Sequence, residues 1–278
     1  MNRIFILTLA VVCLVTGCSR SKPAPSLYTL VLNAARTATP PNFAPGDRGV
    51  CIYVNGNPVG LIPRNNAVGI PLNQYLRPGI NNIALTDSAK RSWSIAVGYE
   101  DKQHKEVLLE TNVAVTGVSS FAINLPNVTW SMPIFDSHIS DADISPDSIA
   151  TFLHRLYAFN PGIGDTNKDA VVDLLRADGV EIWQSAAYGV PDKVIADGRT
   201  QLLFSLNKIA AFTEIPSAGT IRIIRGPNTI LVYTGIGAAG SRMPPQPFLA
   251  RVRMKDGSGG MTHPAVLYKK NGGWAIWN

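Results

Sequence analysis

Punctuation constrains this chain more than any other feature of its sequence. From residue 27 to about 135, stretches rich in β-branched and aromatic residues are broken at short intervals by Pro, Gly and Asn. The runs left between the breaks are 27–32, 50–54, 59–62, 82–85, 92–99, 105–115 and 119–125. Such lengths and spacings predict the short strands of a β-sandwich or barrel. Asn55-Gly56 is a hairpin signal among them, because both central residues of a type I′ turn need positive φ, which Asn and Gly tolerate.

The pattern changes after residue 135. Residues 136–147 contain Asp136, Asp141, Asp143 and Asp147 and no base, which reads as an acidic, solvated linker. At its end, Ser145-Pro146-Asp147 supplies an N-cap hydroxyl, a proline where a missing N–H costs nothing, and an acid near the positive end of a helix dipole. Ile149, Phe152, Leu153, Leu156 and Phe159 then recur at helical spacing, so 148–159 is expected to be an amphipathic helix. Further helices are expected over 168–178 and 198–212, with a short strand at 180–183. Strands are expected at 220–224, 229–234, 248–255, 264–270 and 274–277. Helices first and an antiparallel meander last predict an α+β domain over 148–278, with helices packed on an antiparallel sheet. The expected fold class is therefore two domains, an all-β sandwich over 27–135 followed by α+β.

Two resemblances accompany this reading. IYVNGNPVG (52–60) and IPLNQYLRPGINNIAL (70–85) resemble the VNG…VG…LxPGxNxIxV pattern of galactose-binding-like jelly rolls. In such domains the pattern builds the sandwich. Sugar binding would need exposed aromatics, for which Tyr75 and Trp93 are candidates, with core packing as the competing role. The order of elements after 148, with ADG at 196–198 and the terminal NGGWAIW, is similar to the nuclear-transport-factor-like cone. That family includes enzymes and plain binding modules, so it implies a fold and leaves activity open.

The N-terminus implies an address. Arg3 precedes an apolar stretch over 4–15, too short for a bilayer core of about 30 Å, and Val15-Thr16-Gly17-Cys18 resembles the bacterial lipobox. The resemblance implies a signal peptide over 1–17, a diacylglyceryl thioether on Cys18, and a polar, Pro-containing tether over 18–26. Several acyl chains on one residue exceed what stable anchoring needs, at about 0.8 kcal/mol per buried CH₂. Ser19 in place of Asp after the cysteine implies the periplasmic face of a Gram-negative outer membrane; in a Gram-positive cell the same signal implies a cell-surface lipoprotein.

Charge and cysteine content exclude several classes. The chain carries a formal +6 with no Lys/Arg run beyond two residues, which does not suit a dedicated nucleic-acid binder. With three Cys, a disulfide-stapled mini-protein is excluded. Cys51, within an apolar strand pattern, is read as a buried, inert thiol.

Candidate chemistry is thin. Asp165, Asn167, Asp169 and Asp173 alternate as in a calcium loop, but Ala170 stands where the turn needs glycine and Arg176 where a bidentate acid belongs; helix capping explains the same residues. Asp136, His138, Asp141 and Asp143 have no spacing that fixes a metal geometry. G-x-S-x-G and H-E-x-x-H are absent from the sequence. Asp178 or Asp197, near Trp183 and Tyr188, are the acids that would line a cone mouth, with helix ends as the competing role. No catalytic residue, metal or cofactor is assigned.

Arg251, Arg253 and Lys255 alternate with Ala250, Val252 and Met254, which puts cations on one strand face and apolar residues on the other. These cations are the candidate partner-binding residues, suited to an acidic protein or anionic headgroups. The expected function is a non-catalytic, lipid-anchored envelope protein that acts as adaptor or immunity-type inhibitor toward another envelope or exported protein. An envelope hydrolase or isomerase working in the C-terminal cone, and a glycan-binding module using the N-terminal sandwich, are the alternatives.

Overall fold

The computed structural model describes residues 27–34, 49–62, 68–87, 92–100, 104–114, 117–125, 132–157, 206–237 and 246–277, with single positions at Asp197, Thr200 and Phe204. Eight strands occupy the first half: β1 (Leu27–Ala34), β2 (Val50–Val54), β3 (Asn57–Ile62), β4 (Val68–Pro71), β5 (Gly79–Asp87), β6 (Ser92–Glu100), β7 (Lys105–Ala114) and β8 (Val118–Leu125). They form two antiparallel sheets, ordered β4-β1-β6-β7 and β3-β2-β5-β8. This β-rich half is consistent with the expected sandwich. Leu30, Leu32, Ile95 and Val97 of one sheet share a core with Val50, Ile52, Val54, Ile83 and Leu85 of the other, all 0% exposed. Strand periodicity then forces Cys51 and Tyr53, with their cross-strand partners Thr86 and Ala84, onto the far face of the second sheet.

Turn chemistry fixes this register. Asn55 and Gly56 take φ of 52° and 79°, the positive values a two-residue hairpin turn demands. Asn55 Nδ2 donates to Tyr75 O at 2.9 Å and to Asn81 Oδ1 at 2.8 Å, while Asn81 Nδ2 donates to Arg77 O at 2.8 Å. The asparagines of the VNG and PGINN stretches are thus structural. Tyr75 and Trp93, each 1% exposed, lie in the core, so neither ring is presented to a sugar.

In the second half a complete α-helix, α1 (Pro146–Leu156), is followed by β9 (Ile209–Glu214), β10 (Arg222–Arg225), β11 (Thr229–Tyr233), β12 (Gly235–Gly237), β13 (Gln246–Phe248), β14 (Arg251–Met254), β15 (Gly259–Met261), β16 (Ala265–Lys270) and β17 (Gly273–Ile276). The sheets here are β10-β11-β16-β17, β15-β14-β9 and the pair β12-β13, all antiparallel. Ser145 caps α1 as expected, its Oγ accepting from Ser148 N at 3.3 Å.

This corrects the expected fold class. Among the described residues strands dominate and α1 is the single complete helix, so the second half is not an α+β domain of several helices layered on a sheet. Helical residues appear at Asp197, Thr200, Phe204 and Leu206, but the chain becomes strand at Ile209, inside the expected helix 198–212. Ile209, Ala210, Ala211 and Phe212 fit either period. Pairing with β14 decides the matter, joining Ile209 to Met254 and Phe212 to Val252. The expected strand 248–255 is broken into β13 and β14, which belong to different sheets. The helix expected at 168–178 and the strand at 180–183 lie outside the described residues.

The core does not stop at the linker. Alternate residues of β11 go to opposite sides: Leu231 and Tyr233, with Tyr268, Ala275 and Trp277, join the sandwich core, while Ile230 and Val232, with Leu267, meet Ile149, Phe152 and Leu153 of α1. The Tyr75 and Trp277 rings meet edge to face at 6.1 Å, one from each half. Within 136–147, Ser137 and Ile139 are buried where a solvated linker was expected.

Candidate functional site

Two places have the attributes of a site. The first is a cleft of about 670 Å³ between the outer face of the second sandwich sheet and β10. Its sides are aliphatic, from Leu61, Val118 and Ile224, and Cys51, Tyr53 and Thr86 line it from the outer sheet face; Ile223, also at its edge, turns its side chain to the α1 cluster. Tyr53 and Cys51 share a hydrogen bond, and Thr86 bonds to Tyr53. Burial pushes the Cys51 thiol up to about 12, because a thiolate would lose its hydration there; the Tyr53 bond opposes the shift. Burial raises the Tyr53 phenol too, helped by repulsion from Cys51. Cys51 is therefore a neutral thiol at neutral pH, as the apolar strand pattern implies, and not a nucleophile.

The second place is the cationic face of β14. Arg251, Arg253 and Lys255 do not act as one group. Arg251 is engaged: its Nε donates to Glu214 Oε2 at 3.0 Å and its guanidinium lies 4.5 Å from the Phe248 ring centroid. Arg253 and Lys255 are exposed and, among the described residues, have no acidic partner. Val252, by contrast, is buried against Ile209. The Lys255 N–H donates to Lys208 O at 2.8 Å, setting two lysines side by side. Lys208 Nζ in turn sits 4.3 Å from the ring centroid of Phe204, which is 62% exposed. Sequence reasoning missed Lys208 and Phe204 because neither falls in the alternating strand; their signal was a cation four residues after an aromatic at a helix end.

The remaining candidates separate. Asp143 accepts from Ser140 N and Oγ at 2.9 and 2.6 Å, and these bonds hold its carboxyl below the usual carboxylate range. Asp141 pairs with Arg225. Among the described residues no three His, Cys, Asp or Glu side chains gather as a metal centre requires. No described helix is long and apolar enough to cross a membrane. Asp197 is exposed. Cys18, the Asp165–Asp173 stretch, Asp178, Trp183 and Tyr188 lie outside the described residues.

No protein-family model matches the chain, and comparison with curated proteins and with solved structures gives no significant match.

Proposed function

We propose that this chain is a lipid-anchored envelope protein that binds another envelope or exported protein through the β14 face and catalyses nothing, as an adaptor or immunity-type inhibitor. One observation carries the reading: Arg253 and Lys255 are exposed without an acidic partner among the described residues, and Lys255 adjoins Lys208, which covers the exposed Phe204 ring. Asp256 already offsets Lys208, so Arg253 and Lys255 are the cations left for an acidic partner to pair with. An exposed aromatic among cations supplies the apolar anchor that interface hot spots commonly use. The lipobox motif supports the anchoring, through Cys18. The face is carried by the β15-β14-β9 sheet, which packs around its own small cluster of Ile209 and Val252.

The test is capture from detergent-solubilised envelopes with two baits, the natural chain and an Arg253→Glu/Lys255→Glu variant. A protein retained by the first, lost from the second and released by salt is the expected result. Equal capture by both baits, or none by either, overturns the assignment. Radiolabelled palmitate entering the natural chain but not Cys18→Ser checks the anchor separately.

A further inference from the structure

Asn-Gly occurs twice in this chain, at 55–56 and 271–272. Each pair is the two-residue turn of a hairpin, the first between β2 and β3 and the second between β16 and β17. Their backbones match: φ is 52° at Asn55 and 51° at Asn271, and 79° at Gly56 and 78° at Gly272. The side chains are held very differently. Asn55 Nδ2 donates to Tyr75 O and to Asn81 Oδ1, and Asn55 Oδ1 accepts from Asn82 N at 3.0 Å. Turning that half-buried amide therefore breaks three hydrogen bonds. Asn271 is exposed, and among the described residues its side chain makes no hydrogen bond. A Cβ on Gly272 would meet nothing within 4 Å, so the peptide nitrogen after Asn271 is open to solvent and to its neighbour's side chain.

We infer that Asn271 is a site of spontaneous modification, deamidated by water through a succinimide, and that the same dipeptide at Asn55 is protected by its hydrogen bonds. The Gly272 nitrogen gives its proton to hydroxide and attacks Asn271 Cγ. The N–Cγ bond forms, Cγ–Nδ2 breaks, and Nδ2 leaves as ammonia with a proton from water. Water then opens the five-membered ring at either carbonyl, leaving aspartate or isoaspartate. Asparagine and water become acid and ammonia, with no oxidant or reductant. Ring closure requires ψ of Asn271 to leave its turn value, so the reaction runs from a locally opened hairpin tip. That tip belongs to β17, which ends its sheet and pairs with β16 alone among the described strands. Isoaspartate adds a methylene to the backbone of a turn whose flanking pair is Lys270 and Gly273. Ala275 and Trp277, which follow in the chain, belong to the shared core, so this product loosens β17.

The test incubates the full chain at mildly alkaline pH, folded and in guanidinium chloride. Mass spectrometry follows the amide-to-acid change in both turn peptides, and fragmentation separates aspartate from isoaspartate. In denaturant the two sites should convert at similar rates, because the local sequence alone then decides. In the folded chain Asn271 is expected to convert at least about tenfold faster than Asn55. Hydrogen exchange in β17 should rise in the isoaspartate fraction and stay near the starting level in Asn271→Asp, which carries the new charge without the extra methylene. Equal conversion of the two sites in the folded chain, faster conversion at Asn55, or an Asn271 still intact after the denatured chain has reacted overturns the inference. Unchanged β17 exchange in the isoaspartate fraction overturns the link from this turn to the core.

Discussion

Asn57 and Asn228 clasp each other across the two halves of the chain: Asn57 Oδ1 accepts the Asn228 backbone N–H at 2.9 Å, and Asn57 Nδ2 donates to Asn228 Oδ1 at 3.2 Å. The same Oδ1 accepts from Thr229 N at 3.1 Å. Asn228 Nδ2 continues to the Ser137 carbonyl, and Ser137 Oγ accepts from Lys269 N at 3.1 Å. A β2–β3 turn, a β10–β11 turn and the segment between the halves are thereby tied at one buried point, where Asn57 is 1% exposed.

Asn57→Ala is expected to destabilise the whole chain. It removes the acceptor for two backbone N–H groups in the interior, each costing about 1–3 kcal/mol when left unsatisfied. Because both halves share a core, hydrogen exchange should rise in β2, β11 and β16 together. Faster exchange confined to the β10–β11 turn is the outcome that refutes a common unfolding unit.

Gly226 is the steric counterpart of that clasp. A Cβ there would lie 2.6 Å from Pro58 Cδ and 2.8 Å from both Asn57 Cα and Gly56 O, and the last two are backbone atoms that cannot turn aside. Gly226→Ala should cost about 1–3 kcal/mol in urea unfolding, in the range of overpacked interiors. Gly259→Ala is the control, since a Cβ at that position meets nothing within 4 Å.

Alkaline pH should loosen the fold through two buried acids, Cys51 and Tyr157, and the half-buried Tyr53. Cys51 and Tyr157 are each raised by burial to about 12, from ordinary values of 9.0 and 10.0. An acid with a raised folded value keeps its proton in the native state after the unfolded chain has lost it, so stability is full below the unfolded value and declines as pH climbs toward the folded one. Urea midpoints should therefore fall between about pH 9 and 12, and the fall should be shallower in Cys51→Ala. A flat profile across that window contradicts the burial of both groups.

How much of this was legible in the sequence depended on whether the signal was local. The alternation read over 250–255 is interrupted by register shifts against β9, and Lys255 lies in the turn past β14; Asn55-Gly56 and Ser145-Pro146 act through neighbouring residues, and each appears in the structure where it was read. Ile209–Glu214 did not, because its apolar spacing suits both periods and a partner strand some forty residues away settles it. The cleft was illegible for the same reason. Cys51 and Tyr53 alternate visibly, yet nothing local shows that Ile224 stands opposite them. Arg251 looked equivalent to Arg253 until Glu214 was placed beside it.

The cationic face makes a last prediction in which stability and binding move in opposite directions. Lys255 and Lys208 stand side by side at the ends of paired strands, the Lys255 N–H on Lys208 O at 2.8 Å. Opposite charges at neighbouring strand ends contribute roughly 0.2–1 kcal/mol relative to a neutral pair. Asp256 already stands as an acid toward Lys208, and Lys255→Glu adds a second one at its backbone neighbour, so the urea midpoint should hold or rise slightly at low salt and return to the starting value as salt screens the charges. Capture of the acidic partner should weaken in the same variant. A residue retained for packing would lose stability on substitution; one retained for recognition loses its partner while the fold becomes firmer. A Lys255→Glu chain that is measurably less stable at low salt would count against a recognition role for this face.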